Sequence, residues 1–280
     1  MSKFCGKELS SLYSKYRPGM PKELVAKLRR FLDEKCPPPW SLGVDLGCGT
    51  GQSTQALAEH MPDFQALFGC DNSPTQIEEA IKHERDPRIS YRLHDADTQL
   101  PFANASVELV TCVQSAHWMD LAHLLRDCDR ILKPGGVFAI ANYKLCTLSL
   151  PAPYELHGEK ASRILREFYD YLISNDFWDY PRKILDSEFR DFAEPEGWEK
   201  LSLRDDPSLV TSLPYKLDEF FGYMDTWSSR RNYLKQFPYG TLFDDCKASI
   251  SAALPSECAS KESSFTVVFP WYLLAWRKPR

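Results

Sequence analysis

The segment Val44-Asp45-Leu46-Gly47-Cys48-Gly49-Thr50-Gly51 decides the fold of this 280-residue chain. The apolar run Leu42–Leu46 has the length of a buried strand, and the residues from Gln52 to about His60 carry a helical pattern. Glycines at such a handover permit positive φ and let backbone approach a ligand closely. The loop falls at the carboxyl end of the first strand, where open α/β sheets bind ligands.

The same alternation extends in both directions. Leu24, Val25, Leu28, Phe31 and Leu32 recur at helical spacing, so about 21–35 is a helix entered through Pro21 and stopped by Cys36-Pro37-Pro38-Pro39. Ala66–Cys70, Ile89–Leu93, Val107–Val113 and Val137–Asn142 read as further strands. Between them, Ser73-Pro74 opens a helix to about His83, another covers about Leu121–Leu132, and Lys133-Pro134-Gly135-Gly136 reads as a turn. Strands and helices alternating at this length predict an α/β fold with a doubly wound, mostly parallel sheet of seven strands. Beyond Pro151 the chain becomes helical and aromatic, including Leu217–Phe237 and Leu242–Ala253. Trp198–Leu203 and Phe265–Arg277 are the last predicted strands.

Composition narrows the function classes. A net charge of −5 argues against a nucleic-acid surface, which carries a basic excess. No stretch reaches the ~18 apolar residues that cross a bilayer, and the amino terminus lacks a signal-peptide core. The nine cysteines are odd in number, irregular in spacing and contain no C-x-x-C pair, which predicts free thiols, no bound metal and a cytoplasmic address. Oligomeric state is not encoded in any pattern here.

Two cofactors compete for the glycine loop. A dinucleotide loop needs G-x-G-x-x-G to cradle a pyrophosphate, whereas position 52 is Gln52 and the glycines run G-x-G-x-G. The preceding Asp45 repels a pyrophosphate and suits a cationic amino-acid moiety, which favours S-adenosyl-L-methionine over NAD. Asp71 ends the second strand twenty residues after Gly51, and His94-Asp95-Ala96-Asp97 ends the third.

Together these landmarks resemble the class I S-adenosylmethionine-dependent methyltransferases over roughly residues 40–145. The resemblance implies a Rossmann-like sheet. It also implies cofactor binding by Asp45, Gly47, Cys48, Gly49 and Gly51 of the loop, by Asp71 with Asn72 at the ribose, and by Asp95 and Ala96 at the adenine. Leu12-Tyr13-Ser14-Lys15-Tyr16-Arg17-Pro18 and Thr226-Trp227-Ser228 are similar to segments of a subgroup containing trans-aconitate methyltransferase, although Met20 stands where the subgroup often has an aromatic. On that likeness Tyr13, Tyr16 and Arg17 close as a lid over the methionine part of the cofactor, Tyr13 and Arg17 binding it, with Arg17 on its carboxylate.

Gln114-Ser115-Ala116-His117-Trp118 follows the fourth strand and faces the transferring methyl in this fold. Gln114 is expected at the methionine portion. Tyr16, His117, Trp118, Trp227 and Arg230 are expected around the acceptor, with His117 as the base if the acceptor must lose a proton. The expected layout is one domain over 1–280: lid and helix 1–36, cofactor-binding half 37–150, cap 151–262 and terminal strand 263–280. The preferred reaction is O-methylation of a small carboxylic acid, with Arg17, Arg230 and Arg231 as anion clamps. N- or S-methylation of a small metabolite or xenobiotic, and a non-catalytic regulator that binds the cofactor, are the alternatives.

Overall fold

The computed structural model describes residues 16–179, 182–257 and 263–280. Helix α1 spans Lys22–Asp33 and buries Leu24, Val25, Leu28, Phe31 and Leu32, the predicted apolar stripe. Removing each of these side chains from water contributes roughly 1.5–3 kcal/mol, enough to dock the helix on the sheet. Strand β1 (Trp40–Leu46) then leads into α2 (Gln52–His60), β2 (Phe64–Asp71), α3 (Pro74–His83), β3 (Ile89–Leu93) and β4 (Val107–Val113). A short 3₁₀ turn at Ala116–Trp118 precedes α4 (Leu121–Ile131), β5 (Leu132–Tyr143) and the short β6 (Thr147–Ser149).

The first five strands are parallel in the order β3-β2-β1-β4-β5. The central strands β4 and β5 are buried on both faces and need near-continuous apolar runs, whereas β3 at the edge is largely exposed. The terminal strand β9 (Phe265–Arg277) lies antiparallel against β5 and pairs on its other edge with β7 (Glu199–Leu203). These seven strands are the predicted sheet. Because β9 is thirteen residues long, its first half overhangs and pairs with β6 and with β8 (Val210–Tyr215), two strands the sequence reading missed.

Two boundaries differ from expectation. The expected turn at Lys133–Gly136 lies inside β5 as a bulge: Val107 faces Leu132 and Leu109 faces Val137, so the extra residues loop out at Gly135, whose φ is +81°. The expected helix Leu217–Phe237 is broken into α7 (Leu217–Asp225) and α8 (Ser228–Gln236), with Trp227 as the N-cap of the second. With α5 (Glu155–Ser174), α6 (Arg182–Asp186) and α9 (Leu242–Ala253) they form the cap. An aromatic cluster sets its interior: Trp227 stands 5.4 Å from Trp178, 5.8 Å from Tyr169 and 5.8 Å from Tyr223, ring centre to ring centre. Such pairs add to area burial when edge-to-face or tilted. Among the described residues no helix is long and apolar enough to cross a membrane.

Candidate active site

A cavity of about 300 Å³ opens along the carboxyl ends of β1, β2, β3 and β4, near the low end of the range seen for small-molecule sites. Its floor is the glycine loop. Gly47 N–H and Cys48 N–H donate to the Cys70 carbonyl at 2.7 and 3.0 Å, which pins the loop to the end of β2. Gly47, Gly49 and Gly51 all have positive φ, at +67°, +56° and +88°. They do different work. A Cβ on Gly47 would overlap Ser115 and stand 2.9 Å from its hydroxyl, and one on Gly51 would stand 2.7 Å from Tyr91 Cζ. A Cβ on Gly49 meets nothing nearer than Gln76 Oε1 at 3.9 Å, so this glycine keeps open the space in front of the loop.

Asp45 sits behind the loop. It is 1% exposed and accepts hydrogen bonds from Ser53 Oγ (2.6 Å), Thr54 Oγ1 (2.8 Å) and Thr111 Oγ1 (2.8 Å). Burial pushes its carboxyl up, against the pull of those three hydroxyls. Its place ties β1 to the first turn of α2 and to β4, and it is not on the cavity wall. The sequence reading gave it direct cofactor contact; the fold instead makes it the strut under the loop.

Asp71 is on the wall. Its Oδ2 accepts from Gly49 N–H at 3.0 Å and its Oδ1 from Ser73 N–H at 2.8 Å. Burial raises its pKa, while the N–H groups of Ser73, Gly49 and Asn72 oppose the rise. The fixed carboxylate keeps lone pairs for two neighbouring donors. Asn72, Asp95 and Ala96 also line this end, with Cys48 at the loop.

At the other end the wall is Val113, Gln114, Trp118, Tyr143, Trp271 and Arg17. Gln114 holds φ of +55°, rare for a residue with a side chain, and its Nε2 donates to the Tyr143 carbonyl at 3.2 Å. Arg17 donates to Tyr143 Oη at 2.5 Å and to the Thr226 carbonyl at 3.2 Å, with the Tyr223 ring 5.2 Å from its guanidinium carbon. The N-terminal arm is thereby fastened to both β5 and the cap.

The structure thus brings Arg17, Gly47, Cys48, Gly49, Asp71, Asn72, Asp95, Ala96, Gln114 and Trp118 to one cavity. Five other expected residues stand elsewhere. Tyr16 packs its ring against Gly222 and accepts Tyr215 Oη on its carbonyl. Trp227 lies in the aromatic interior of the cap, 3% exposed. Arg230 pairs with Asp225 at 2.8 Å, and Arg231 reaches Asp179 at 3.5 Å. His117 is 6% exposed, beside Trp118 but off the cavity wall, and burial together with the nearby Arg182 charge lowers its pKa to about 3. Gly51 caps α2 rather than lining the wall, and Tyr13 lies outside the described residues.

Sequence reasoning missed Gln76, Tyr143 and Trp271, all on the wall. Gln76 had a signal: it is the one amide among the buried positions Gln76, Ile77 and Ala80 of α3. Tyr143 and Trp271 had none, because they meet only through the β5–β9 register.

Loop, carboxylate and cavity together fit an adenosyl ligand with an amino-acid tail: Asp71 for the ribose, the open face of Gly49 for close backbone approach, and Arg17 toward the other end. The family profile described as a methyltransferase domain matches residues 44–140. A protein of Dictyostelium discoideum assigned as a methyltransferase is 26% identical over 272 residues, covering 96% of this chain and 93% of its own length. A solved structure from Anaeromyxobacter dehalogenans, assigned as a type II methyltransferase, superposes with a TM-score of 0.72 at 27% identity, covering 95% of this chain and 100% of that one. The chain is a class I S-adenosylmethionine-dependent methyltransferase. Within that class it resembles the trans-aconitate methyltransferases: the enzyme of Methylobacterium radiotolerans is 38% identical over 100 residues, 35% of this chain and 36% of the relative. That match spans about a third of either protein.

Proposed function

We propose that this enzyme transfers the methyl group of S-adenosyl-L-methionine to the carboxylate oxygen of a small organic acid. One observation carries the reading: His117, the candidate base, is withdrawn from the cavity and its pKa is lowered by burial to about 3, while His94, the histidine that lines the cavity, adjoins Asp95 and Ala96 at the end away from Gln114 and Arg17. A neutral histidine could still accept a proton, but a side chain off the wall has no reach to the acceptor, and a general base must be within hydrogen-bond distance. The acceptor must then arrive already nucleophilic at neutral pH, and a carboxylate does. Relatives matched over part of the chain include a trans-aconitate 2-methyltransferase and a malonyl-acyl-carrier-protein O-methyltransferase, the latter named for O-methylation.

The bound cofactor supplies an electrophilic methyl on a sulfonium whose neutral thioether leaves without a proton. The chain's part is positional. Asp71 and Asn72 would hold the ribose, Asp95 and Ala96 the adenine, and Gln114 and Arg17 the methionine part, the Arg17 guanidinium pairing with the methionine carboxylate in charge-assisted hydrogen bonds. Trp118, Tyr143 and Trp271 line the same end of the cavity as Arg17 and Gln114, where their rings would exclude water and so strengthen the attraction between a carboxylate and a sulfonium. Aligning the two for in-line attack can supply ~7–11 kcal/mol of the barrier.

A panel of polycarboxylic, fatty and terpenoid acids, with amines and thiols as controls, tests the reading. Methyl-ester formation is the expected result. Turnover of amines or thiols with every acid refused would overturn it.

A further inference from the structure

Gln76 is a polar side chain that the cofactor half has no structural use for. It belongs to the buried stripe of α3 with Ile77 and Ala80, where an aliphatic residue would pack without penalty. It is 5% exposed, and its Oε1 is buried with no hydrogen-bond partner. An orphaned buried carbonyl oxygen costs about as much as a lost hydrogen bond, so native structures keep few of them. This one is on the cavity wall.

Its position identifies what it faces. Gly49 is shared: its N–H donates to Asp71 Oδ2 at 3.0 Å, and the site of its missing Cβ is 3.9 Å from Gln76 Oε1. The amide oxygen and the Asp71 carboxylate therefore flank one glycine at one end of the cavity. Each Asp71 oxygen already accepts one backbone N–H. A ligand presenting two hydroxyl donors here meets a carboxylate already engaged by backbone N–H groups, with a further acceptor beside it.

We propose that Gln76 is a specificity residue for the cofactor, accepting a hydrogen bond from one ribose hydroxyl beside Asp71. The proposal rests on the cofactor assignment made above. It explains why a buried position of α3 carries an amide whose oxygen has no partner within the protein: that partner arrives with the ligand.

The test uses the full chain, S-adenosylhomocysteine and its 2′-deoxy and 3′-deoxy ribose forms, read by calorimetry. Gln76→Met removes the amide at nearly constant length, and Gln76→Leu repeats the change with a branched chain. Both should weaken S-adenosylhomocysteine binding roughly 2- to 12-fold, the worth of one hydrogen bond. Against one deoxy ligand the variants and the unsubstituted protein should bind alike, which names the hydroxyl. The unliganded variants should unfold at the same or a higher temperature, since an orphan has been removed. In turnover, KM for S-adenosylmethionine should rise with kcat unchanged. Equal weakening on all three ligands, or unchanged binding, would overturn the proposal, as would a lowered unfolding temperature with no ligand-dependent term. Failure of the unsubstituted protein to bind S-adenosylhomocysteine would overturn the cofactor assignment itself, and is told apart because it needs no substitution.

Discussion

Replacing Gly49 and Gly47 by alanine, one at a time, separates ligand approach from packing within a single loop. Both glycines have positive φ, so any L-residue there pays roughly 1–2 kcal/mol for the left-handed conformation. At Gly49 that is the whole structural effect, because the added methyl meets nothing within 3.9 Å. It stands instead in the open space before the loop, where the proposed reading puts the cofactor. Forcing a methyl into a filled contact costs typically 1–3 kcal/mol, which weakens binding by roughly 5- to 150-fold. At Gly47 the same methyl overlaps Ser115 and sits 3.2 Å from Met119 Cε. Ser115 is itself tied to the Leu46 carbonyl at 2.6 Å, so it cannot give way cheaply. Gly47→Ala should therefore lose about 2–5 kcal/mol of stability, summing strain and overpacking. Urea unfolding of the unliganded proteins and calorimetry with S-adenosylhomocysteine read the two effects. The expected pattern is a nearly stable Gly49→Ala that binds poorly, and a clearly destabilised Gly47→Ala. Normal cofactor affinity in Gly49→Ala, or a stability loss there exceeding that of Gly47→Ala, would refute the account of the loop.

Three further outcomes follow from the site. On the proposed reading Asp71 binds the ribose as an anion, and burial raises its pKa, so S-adenosylhomocysteine affinity should fall as pH drops through the raised value; Asp71→Asn should bind at least tenfold more weakly and lose that pH dependence. His117 titrates near 3 when folded and near 6.5 when unfolded, so the unfolded chain binds the extra proton between those values and the protein should lose stability as pH falls below about 6.5. His117→Phe should flatten that slope in thermal unfolding while leaving kcat within a few-fold; a kcat limb near pH 6–7 that vanishes in this variant would restore His117 as the base. Arg17→Lys keeps a charge but loses the planar fork, and should raise KM for S-adenosylmethionine about tenfold with a smaller change in kcat; an unchanged KM would move Arg17 off the cofactor.

Much of the fold was legible because it is written in short-range periodicity. The apolar stripe of α1, the helices α2 and α3, and the strands β3, β4 and β9 lie where spacing places them, since each is decided within one element. The glycine loop and Asp71 were legible for the same reason: a strand-to-helix handover puts residues at the sheet's carboxyl edge whatever the rest of the chain does. The short strands β6 and β8 were not, because they exist only by pairing with an overhanging β9. Three-residue and six-residue segments carry too little pattern to declare a strand alone.

The sequence by itself determined the sheet's alternation, the loop's chemistry and the class of cofactor, all properties of contiguous residues. Tertiary structure decided which way the side chains face. It turned His117 into the interior, set Asp45 behind the loop under three hydroxyls, sealed Trp227 among cap aromatics, and brought Tyr143 against Trp271 across 128 positions of chain. The physical reason is that direction at a strand end or a 3₁₀ turn depends on what packs there, and those partners come from distant segments.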